Sequence, residues 1–371
     1  MPELYQLLLY GFAIVALINI AYYLYFLPFC LSAKAKQPQS QPPPVTLVVC
    51  AKNEADNLRK HIPLWMAQDH PSFELILIND GSWDETLDVM EEFAARYPTI
   101  QITDVAPNEK FWGSKKYALT LGIKRARNEH LVFTDADCRP ASQEWLRLIA
   151  QNFNQMHDIV LGYGAYEKVK NSFLNKIIRF ETVFTALQYF SYATNKNPYM
   201  GTGRNLAYTA GLFYEKKGYV EHMQVRSGDD DLFVNAAATR SNTAICIAPE
   251  AFTISGPKRK FKAWYRQKRR HITTADRYKK RHQFALGLFY MSQFLFLLFS
   301  LFFLIYHPSA HIFIILVAVR YLVAALAFVG VSIKLEEKDL YPFFPLLEAC
   351  LVCFQLFIFI HNLISKPKRW K

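Results

Sequence analysis

Leu131-Val132-Phe133-Thr134-Asp135-Ala136-Asp137 is an apolar run that stops in two carboxylates, two residues apart. As a buried strand it carries both acids out at its C-terminal end, on one side of the backbone. Ligands of open α/β sheets bind beyond those ends. Two oxygens from one short loop suit a hard divalent cation that keeps some water and takes its remaining ligands from substrate phosphates. A solvated turn after the strand is the competing reading, and the neighbouring segments decide between the two.

Working outward, short apolar runs alternate with amphipathic stretches. Strands are expected at 45–51, 73–79, 100–105 and 130–134, and helices at 54–66, 83–97, 114–127 and 142–155. This alternation indicates an α/β fold with a doubly wound, mainly parallel sheet covered on both faces. Beyond Asp158 the pattern loosens. A strand is expected at 159–166, a long aromatic-rich helix at 173–194, an extended Gly-rich stretch at 200–208, a helix at 231–239 and a strand-like run at 244–254.

The composition is 52% hydrophobic and 15% aromatic, with the excess at the two ends. Residues 5–32 carry no charged side chain. This first apolar stretch lacks a basic n-region, is too long for a signal peptide and is followed by Lys34 and Lys36, so it reads as a retained anchor with its N-terminus outside. Further spans are expected at 284–306, 311–333 and 343–364. The expected organisation is therefore a transmembrane helix (1–33), a Pro-rich linker (34–44), an α/β domain (45–256), a basic interfacial segment (257–283) and a C-terminal transmembrane region (284–371).

The formal charge of +12 is local. Residues 258–281 hold twelve Lys or Arg and one acid, Asp276, which leaves thirty-one basic and thirty acidic residues elsewhere. A basic segment abutting a transmembrane helix fits positive-inside bias and anionic membrane lipids. It places the middle domain in the cytoplasm, and no nucleic-acid partner is expected. Six scattered cysteines, including Cys350 and Cys353 within an apolar span, read as small buried hydrophobes. With four complete spans, however, the basic tail Lys366 to Lys371 falls outside, against the positive-inside tendency. One span being re-entrant or interfacial would remove the conflict.

Polar clusters end the earlier strands as well: Lys52-Asn53-Glu54 after the first and Asn79-Asp80-Gly81-Ser82 after the second. Each feeds a helix N-terminus, where amides receive anions, and each alone is also an ordinary turn or cap. Together with Gly113-Ser114-Lys115, Asp135-Ala136-Asp137, Gly201-Thr202-Gly203-Arg204-Asn205, Gly228-Asp229-Asp230-Asp231-Leu232 and Gln267-Lys268-Arg269-Arg270, in this order, the chain resembles the family 2 glycosyltransferases of the GT-A fold over residues 45–271.

The resemblance implies sugar transfer from a UDP- or GDP-linked donor to a lipid or glycan acceptor. It implies that Asp135 and Asp137 bind Mg²⁺ or Mn²⁺ at the donor diphosphate, and that Glu54, Asp80, Lys115, Asp135, Gln267 and Arg270 bind the nucleotide-sugar. It also implies that Gly203, Arg204, Asn205 and His271 face the acceptor. The base is Asp229 when the family motif is aligned on Asp231-Leu232, and Asp230 when it is aligned on Gly228. Three adjacent carboxylates should raise at least one pKa toward a useful range.

His271 stands where processive polysaccharide synthases have a tryptophan, which weighs against polymerisation and for a single transfer to a lipid-linked acceptor. The expected setting is a bacterial inner membrane. A non-catalytic membrane scaffold is the distant alternative, and acids at several strand ends weigh against it. Arg320 and Glu348 lie inside separate apolar stretches, where charge is costly, and are expected to pair or to line a lipid or glycan path, although their apparent depths differ by about 10 Å.

Overall fold

A computed structural model describes residues 2–32, 41–106, 114–225, 227–307 and 311–365. In chain order its elements are α1 (Pro2–Leu31), β1 (Val45–Ala51), α2 (Ala55–Met66), β2 (Phe73–Asp80), α3 (Thr86–Arg96), β3 (Ile100–Val105), α4 (Ser114–Arg125), β4 (His130–Asp135), β5 (Cys138–Pro140) and α5 (Trp145–Ala150). There follow β6 (Ile159–Leu161), β7 (Gly164–Tyr166), α6 (Phe173–Thr194), β8 (Leu206–Thr209), α7 (Ala210–Glu215), α8 (Asp231–Ala237), β9 (Thr243–Ile245), β10 (Thr253–Ser255) and α9 (Phe261–Ile272). The chain ends in α10 (Lys280–Tyr306), α11 (His311–Lys334) and α12 (Phe344–Ile364). Two compact units result: residues 41–171 and 192–259 form one, and residues 2–32, 172–191 and 260–365 the other.

The first unit is built on a seven-stranded sheet in the order β3-β2-β1-β4-β8-β6-β9. Pairings β3–β2, β2–β1, β1–β4 and β6–β9 are parallel, whereas β8 is antiparallel to β4 and β6. Leu47, Val49, Leu75 and Leu77 pack on one face with Leu58, Ile62 and Trp65 of α2, Val89 and Met90 of α3, and Trp145 and Ile149 of α5. On the other face α4 approaches so closely that a Cβ on Gly122 would lie 2.2 Å from Ile78 Cδ1. Burial on both faces is what makes the strand sequences nearly continuous apolar runs.

This topology positions the site. The parallel register aligns Ala51 with Asn79 and Cys50 with Asp135, so β1, β2 and β4 end on one edge. Because β8 runs the other way, pairing Leu206 with Phe133, the loop before it comes to that same edge.

Two expected strands are each divided. Residues 159–166 form β6 in the large sheet and β7 in a three-stranded sheet ordered β5-β10-β7. Likewise 244–254 yields β9, a 3₁₀ turn Pro249–Ala251, and β10 in the small sheet. The chain crosses between sheets at Gly162, where a Cβ would lie 2.4 Å from Asn205 Cγ. Apolar alternation continues through such a crossing, which is why it is invisible in the pattern.

In the other unit α1, α10, α11 and α12 are long and apolar enough to cross a membrane. Arg320 and Glu348, both 1% exposed, pair directly: Arg320 Nη1 donates to Glu348 Oε2 at 2.6 Å, and Nη2 to Oε1. Arg320 Nε donates to Asn19 Oδ1 (2.7 Å), while the Tyr23 hydroxyl (2.5 Å) and Gln293 Nε2 (3.2 Å) donate to Glu348 Oε1. Every polar atom of the pair is thus engaged, as an ion pair buried among apolar helices requires. Of the six free cysteines only Cys30, Cys138 and Cys246 are buried. Cys353 is exposed on α12, and Cys50 and Cys350 are partly exposed.

Candidate active site

The loops after β1 and β2 interlock before any ligand is considered. Asn53, with φ of 56°, donates its N–H to Ser82 Oγ (3.0 Å), and its Oδ1 accepts from Trp83 N–H (3.0 Å). Glu54 N–H donates to Thr86 Oγ1 (2.8 Å), and Glu54 Oε2 accepts from Asn57 Nδ2 (2.6 Å). Asp80 is buried at the end of β2. Asn79 next to it ties Asp104 and the Ser82 N–H (2.7 and 3.1 Å). Helix starts at 55 and 86, rather than 54 and 83, follow from these loop bonds.

At the end of β4, Lys115 from the first turn of α4 bridges two acids, with Nζ 3.0 Å from Asp135 Oδ1 and 2.8 Å from Asp229 Oδ2. Burial opposes its charge, but Asp135 and Asp229 outweigh that and hold the ammonium well above the usual lysine range. The lysine lines a cavity of ≈ 20 Å³ together with Cys50, Gly203, Tyr208, Tyr219, Asp229 and Asp230. That is room for one or two waters and too little for a phosphate or a sugar.

Asp229 and Asp230 precede α8. The turn into them requires glycine: Gly228 has φ of 92°, and a Cβ there would lie 2.5 Å from Leu232 Cδ1. Asp230 Oδ2 accepts from Gly203 N–H (2.7 Å) and Oδ1 from Asp231 N–H (2.8 Å), which ties the Gly-rich loop to the acidic one. Burial, then the charges of Asp229 and Asp231, push the Asp230 carboxyl up to about 7, although Gly203 N–H and Lys115 pull it down. Asp229 is held instead by the side-chain ammonium of Lys115.

Asp135, Asp137 and Cys138 present ligand atoms within 4.8 Å of one another. Burial, then Asp135 and Glu54, raise the Asp137 carboxyl, a repulsion that a bound cation would relieve. Burial also raises the Cys138 thiol well above its ordinary value, and its sulfur lies 3.3 Å from Ser255 Oγ. A neutral thiol is a poor ligand for a hard ion. The donor set is therefore two hard carboxylates, which fits Mg²⁺ or Mn²⁺ with water and phosphate oxygens completing the shell.

Not every expected site residue faces this edge with its side chain. Asn205 is wholly buried: its Nδ2 donates to the Tyr163 and Ala251 carbonyls (3.0 and 2.8 Å), and its Oδ1 accepts from Trp145 Nε1 (3.1 Å). It braces the crossing between the two sheets and has no surface to offer an acceptor. Arg204 donates to Ala165 O (3.1 Å) and Ser255 Oγ (3.3 Å) and stacks over Tyr166 at 4.3 Å, so it is held as a strut in the same crossing. Gly203 reaches Asp230 through its backbone. Gln267 and Arg270 belong to α9 in the other unit, where Gln267 Oε1 is buried without a partner among the described residues. The His271 side chain lies outside the described residues, as does Gly113.

One buried cation of this unit was not singled out in the sequence. Lys116, 2% exposed, donates from Nζ to the carbonyls of His222 (2.8 Å) and Val225 (3.1 Å), just ahead of Gly228. Burial lowers it to about 8, against the pull of Asp229, Asp231 and Asp230. Adjacent to Lys115 and on a helix of ordinary amphipathicity, it gave no signal of its own.

Comparison with known proteins bears on this assembly. The profile described as Glycosyltransferase like family 2 matches residues 42–274, spanning the loops that carry Glu54, Asp80, Lys115, Asp135, Asp137, Asp229 and Asp230. The chain belongs to this family. Poly-beta-1,6-N-acetyl-D-glucosamine synthase of Staphylococcus epidermidis is 28% identical over 110 residues, 30% of this chain and 26% of that protein. Cholesterol galactosyltransferase of Borreliella burgdorferi is 29% identical over 97 residues, 25% of each. The match thus spans about a quarter of the length of these curated relatives. A mannosyltransferase from Pyrobaculum calidifontis, solved in complex with GDP-Man and Mn²⁺, shares the fold with a TM-score of 0.58 over 89% of this chain and 98% of that one, at 15% identity. The family 2 glycosyltransferase therefore has a GT-A-like α/β fold with four candidate membrane-spanning helices.

Proposed function

We propose that this glycosyltransferase moves a sugar from a UDP- or GDP-linked donor to a hydroxyl of a lipid or glycan acceptor, with inversion, at the cytoplasmic face of a bacterial inner membrane. The observation that carries the reading is Lys115 poised between Asp135 and Asp229, at 3.0 and 2.8 Å, on the edge where β1, β2 and β4 end. It joins a candidate diphosphate-binding carboxylate to a candidate base through one shared cation.

Glu54 and Asp80, on the interlocked loops after β1 and β2, hold the nucleoside. Asp135 and Asp137 would hold Mg²⁺ or Mn²⁺, which supplies positive charge to the leaving diphosphate when bound. Lys115, displaced from Asp229 by the donor, turns to the same phosphates. Asp229, so released, accepts the proton of the acceptor hydroxyl. That oxygen bonds to the anomeric carbon as the bond to the diphosphate oxygen breaks, and its electron pair leaves with the diphosphate. Asp230 is less available as the base, because both its oxygens already accept backbone N–H groups. The family resemblance assigns Gln267 and Arg270 to the donor, and Gly203 and His271 to the acceptor. The catalytic domain of residues 45–256 is served by a membrane region at each end of the chain.

Similarity to the staphylococcal synthase favours a second reading, processive polymerisation; His271 in place of a stacking tryptophan favours single transfer. Membranes containing the protein should be incubated with labelled UDP- and GDP-sugars, with and without EDTA, and lipid products separated from polymer. Metal-dependent label in a short lipid-linked product is expected, and its loss in Asp229→Asn. Full transfer by that variant would defeat the assignment, and a long polymer would establish the second reading.

A further inference from the structure

From the contacts of α12, we infer that this fourth apolar helix does not cross the membrane but lies in a single leaflet, entering and leaving on the side where α10 begins and α11 ends. The partner of its exposed face is the acyl layer of that leaflet.

The order of contacts along α12 carries the inference. A crossing helix of 21 residues would advance about 30 Å. Starting beside the end of α11, it would meet α10 at residues progressively farther from Lys280. It does the reverse. Phe344 packs on Phe328 (4.8 Å) near the end of α11, Glu348 meets Gln293 of α10, and Val352 then accepts at its carbonyl from Tyr290 (3.4 Å), one turn nearer to Lys280. The helix dips toward Arg320 and returns.

Its second half is committed to α9. Phe354 stacks on Trp264 at 4.2 Å, Phe357 packs on Tyr265 at 5.5 Å, and the His361 ring bonds to the Tyr265 hydroxyl. Arg269 donates to Asn362 Oδ1 (2.7 Å) and to the Ser365 carbonyl. Within its twelve residues α9 carries Lys262, Arg266, Lys268, Arg269 and Arg270. Each such charge costs about 2.5–3.5 kcal/mol at the centre of a bilayer. A helix so charged cannot accompany residues 354–365 through hydrocarbon, so both run in the headgroup region.

The helix α6 fixes both ends at one level. Arg179 Nε donates to Glu337 Oε2 and Nη1 to Asp339 Oδ2, each at 2.9 Å, in the connection leading into α12. Two residues on, Glu181 pairs with Lys268 of α9 at 2.5 Å. The start of α12 and the helix that holds its end are therefore anchored about 3 Å apart along one axis. Leu346, Phe359, Leu363 and Ile364 remain exposed, an apolar face fit for acyl chains beside the exposed cations Lys262 and Arg266. Three crossings, not four, then put Ser365 on the same side as the basic segment, which agrees with the positive-inside tendency of the Lys and Arg that follow it in sequence.

The test is sidedness of a thiol in the full-length chain. Ser365→Cys, in a background of Cys350→Ala and Cys353→Ala, is compared with Lys338→Cys and His307→Cys, using a membrane-impermeant maleimide on spheroplasts and on inverted vesicles of a bacterial inner membrane. The background without an added cysteine corrects for the remaining thiols. Ser365→Cys should label from the same side as Lys338→Cys and opposite to His307→Cys. Labelling from the His307 side overturns the inference, and so does protection from both sides with reaction only in detergent.

Discussion

Replacing Lys116 with Met should disable transfer while leaving the protein folded, because two opposing energies nearly cancel in stability but not in geometry. The ammonium donates to the carbonyls of His222 and Val225, and the variant abandons both. The His222 carbonyl keeps the Val225 N–H (3.0 Å), so among the described residues only the Val225 carbonyl is left unpaired, at a loss of about 1–3 kcal/mol. Against this, a lysine held at about 8 instead of 10.5 reflects about 3 kcal/mol opposing its burial in charged form, and Met removes that cost. The net change in unfolding free energy should stay within about 3 kcal/mol. The loop through His222 and Val225, however, loses the only side-chain ties that these two carbonyls have among the described residues. The Gly228 turn that aims Asp229 is then free to shift, and a misplacement of about 1 Å costs on the order of 100-fold in rate.

The pH dependence separates this positioning role from mere packing. Lys116 binds its proton more weakly when folded, so its cost is fully present below pH 8 and fades as pH rises from about 8 towards 10.5. Wild-type stability relative to Lys116→Met should therefore improve across that window. Wild-type kcat should fall above pH 8 as the neutral amine loses its charge-assisted bonds, a limb missing in the Met variant, and Lys116→Arg should restore part of the rate at pH 9. Steady-state transfer and thermal unfolding in detergent, both followed from pH 6 to 10, measure these. Unchanged kcat in Lys116→Met, or an identical alkaline limb, would refute the reasoning.

Asp229→Asn should lower kcat by at least about 100-fold with donor affinity retained, measured by transfer rate and nucleotide-sugar binding. For Asp230, whose carboxyl is raised to about 7, the ionised form is disfavoured in the fold. Stability is thus lost as pH rises from about 4 to 7, and the thermal stability of Asp230→Asn relative to wild type should increase over that range. Asp137→Asn should make nucleotide-sugar binding insensitive to added Mn²⁺ and to EDTA, and isothermal titration with each present would show it. Arg320→Met should cost about 3–5 kcal/mol by stranding Glu348, whereas adding Glu348→Met should recover most of that in thermal unfolding.

What the sequence made legible follows the range over which a residue reports its surroundings. Strands β1 to β4 and the acids at their ends declare themselves because a strand buried on both faces must be apolar throughout, and its first polar residue marks the sheet edge. The meeting of Lys115 with Asp135 and Asp229 follows once those edges are aligned. The crossings at Gly162 and at Pro249–Ala251 were not legible, since alternation records which face is buried but not against which sheet. For the same reason Asn205 could be read as an acceptor contact: a fully engaged core amide and a ligand-binding one have the same letter. The membrane region extends the point. Length and hydropathy qualify α12 as a span, and the conflict over its basic tail was visible in charge alone, yet nothing local says which way the helix runs. That is set by Tyr290, Trp264 and Arg269, which lie between 62 and 96 residues away in sequence from the atoms they hold. An apolar stretch specifies its solvent, and only its long-range polar partners specify its path through it.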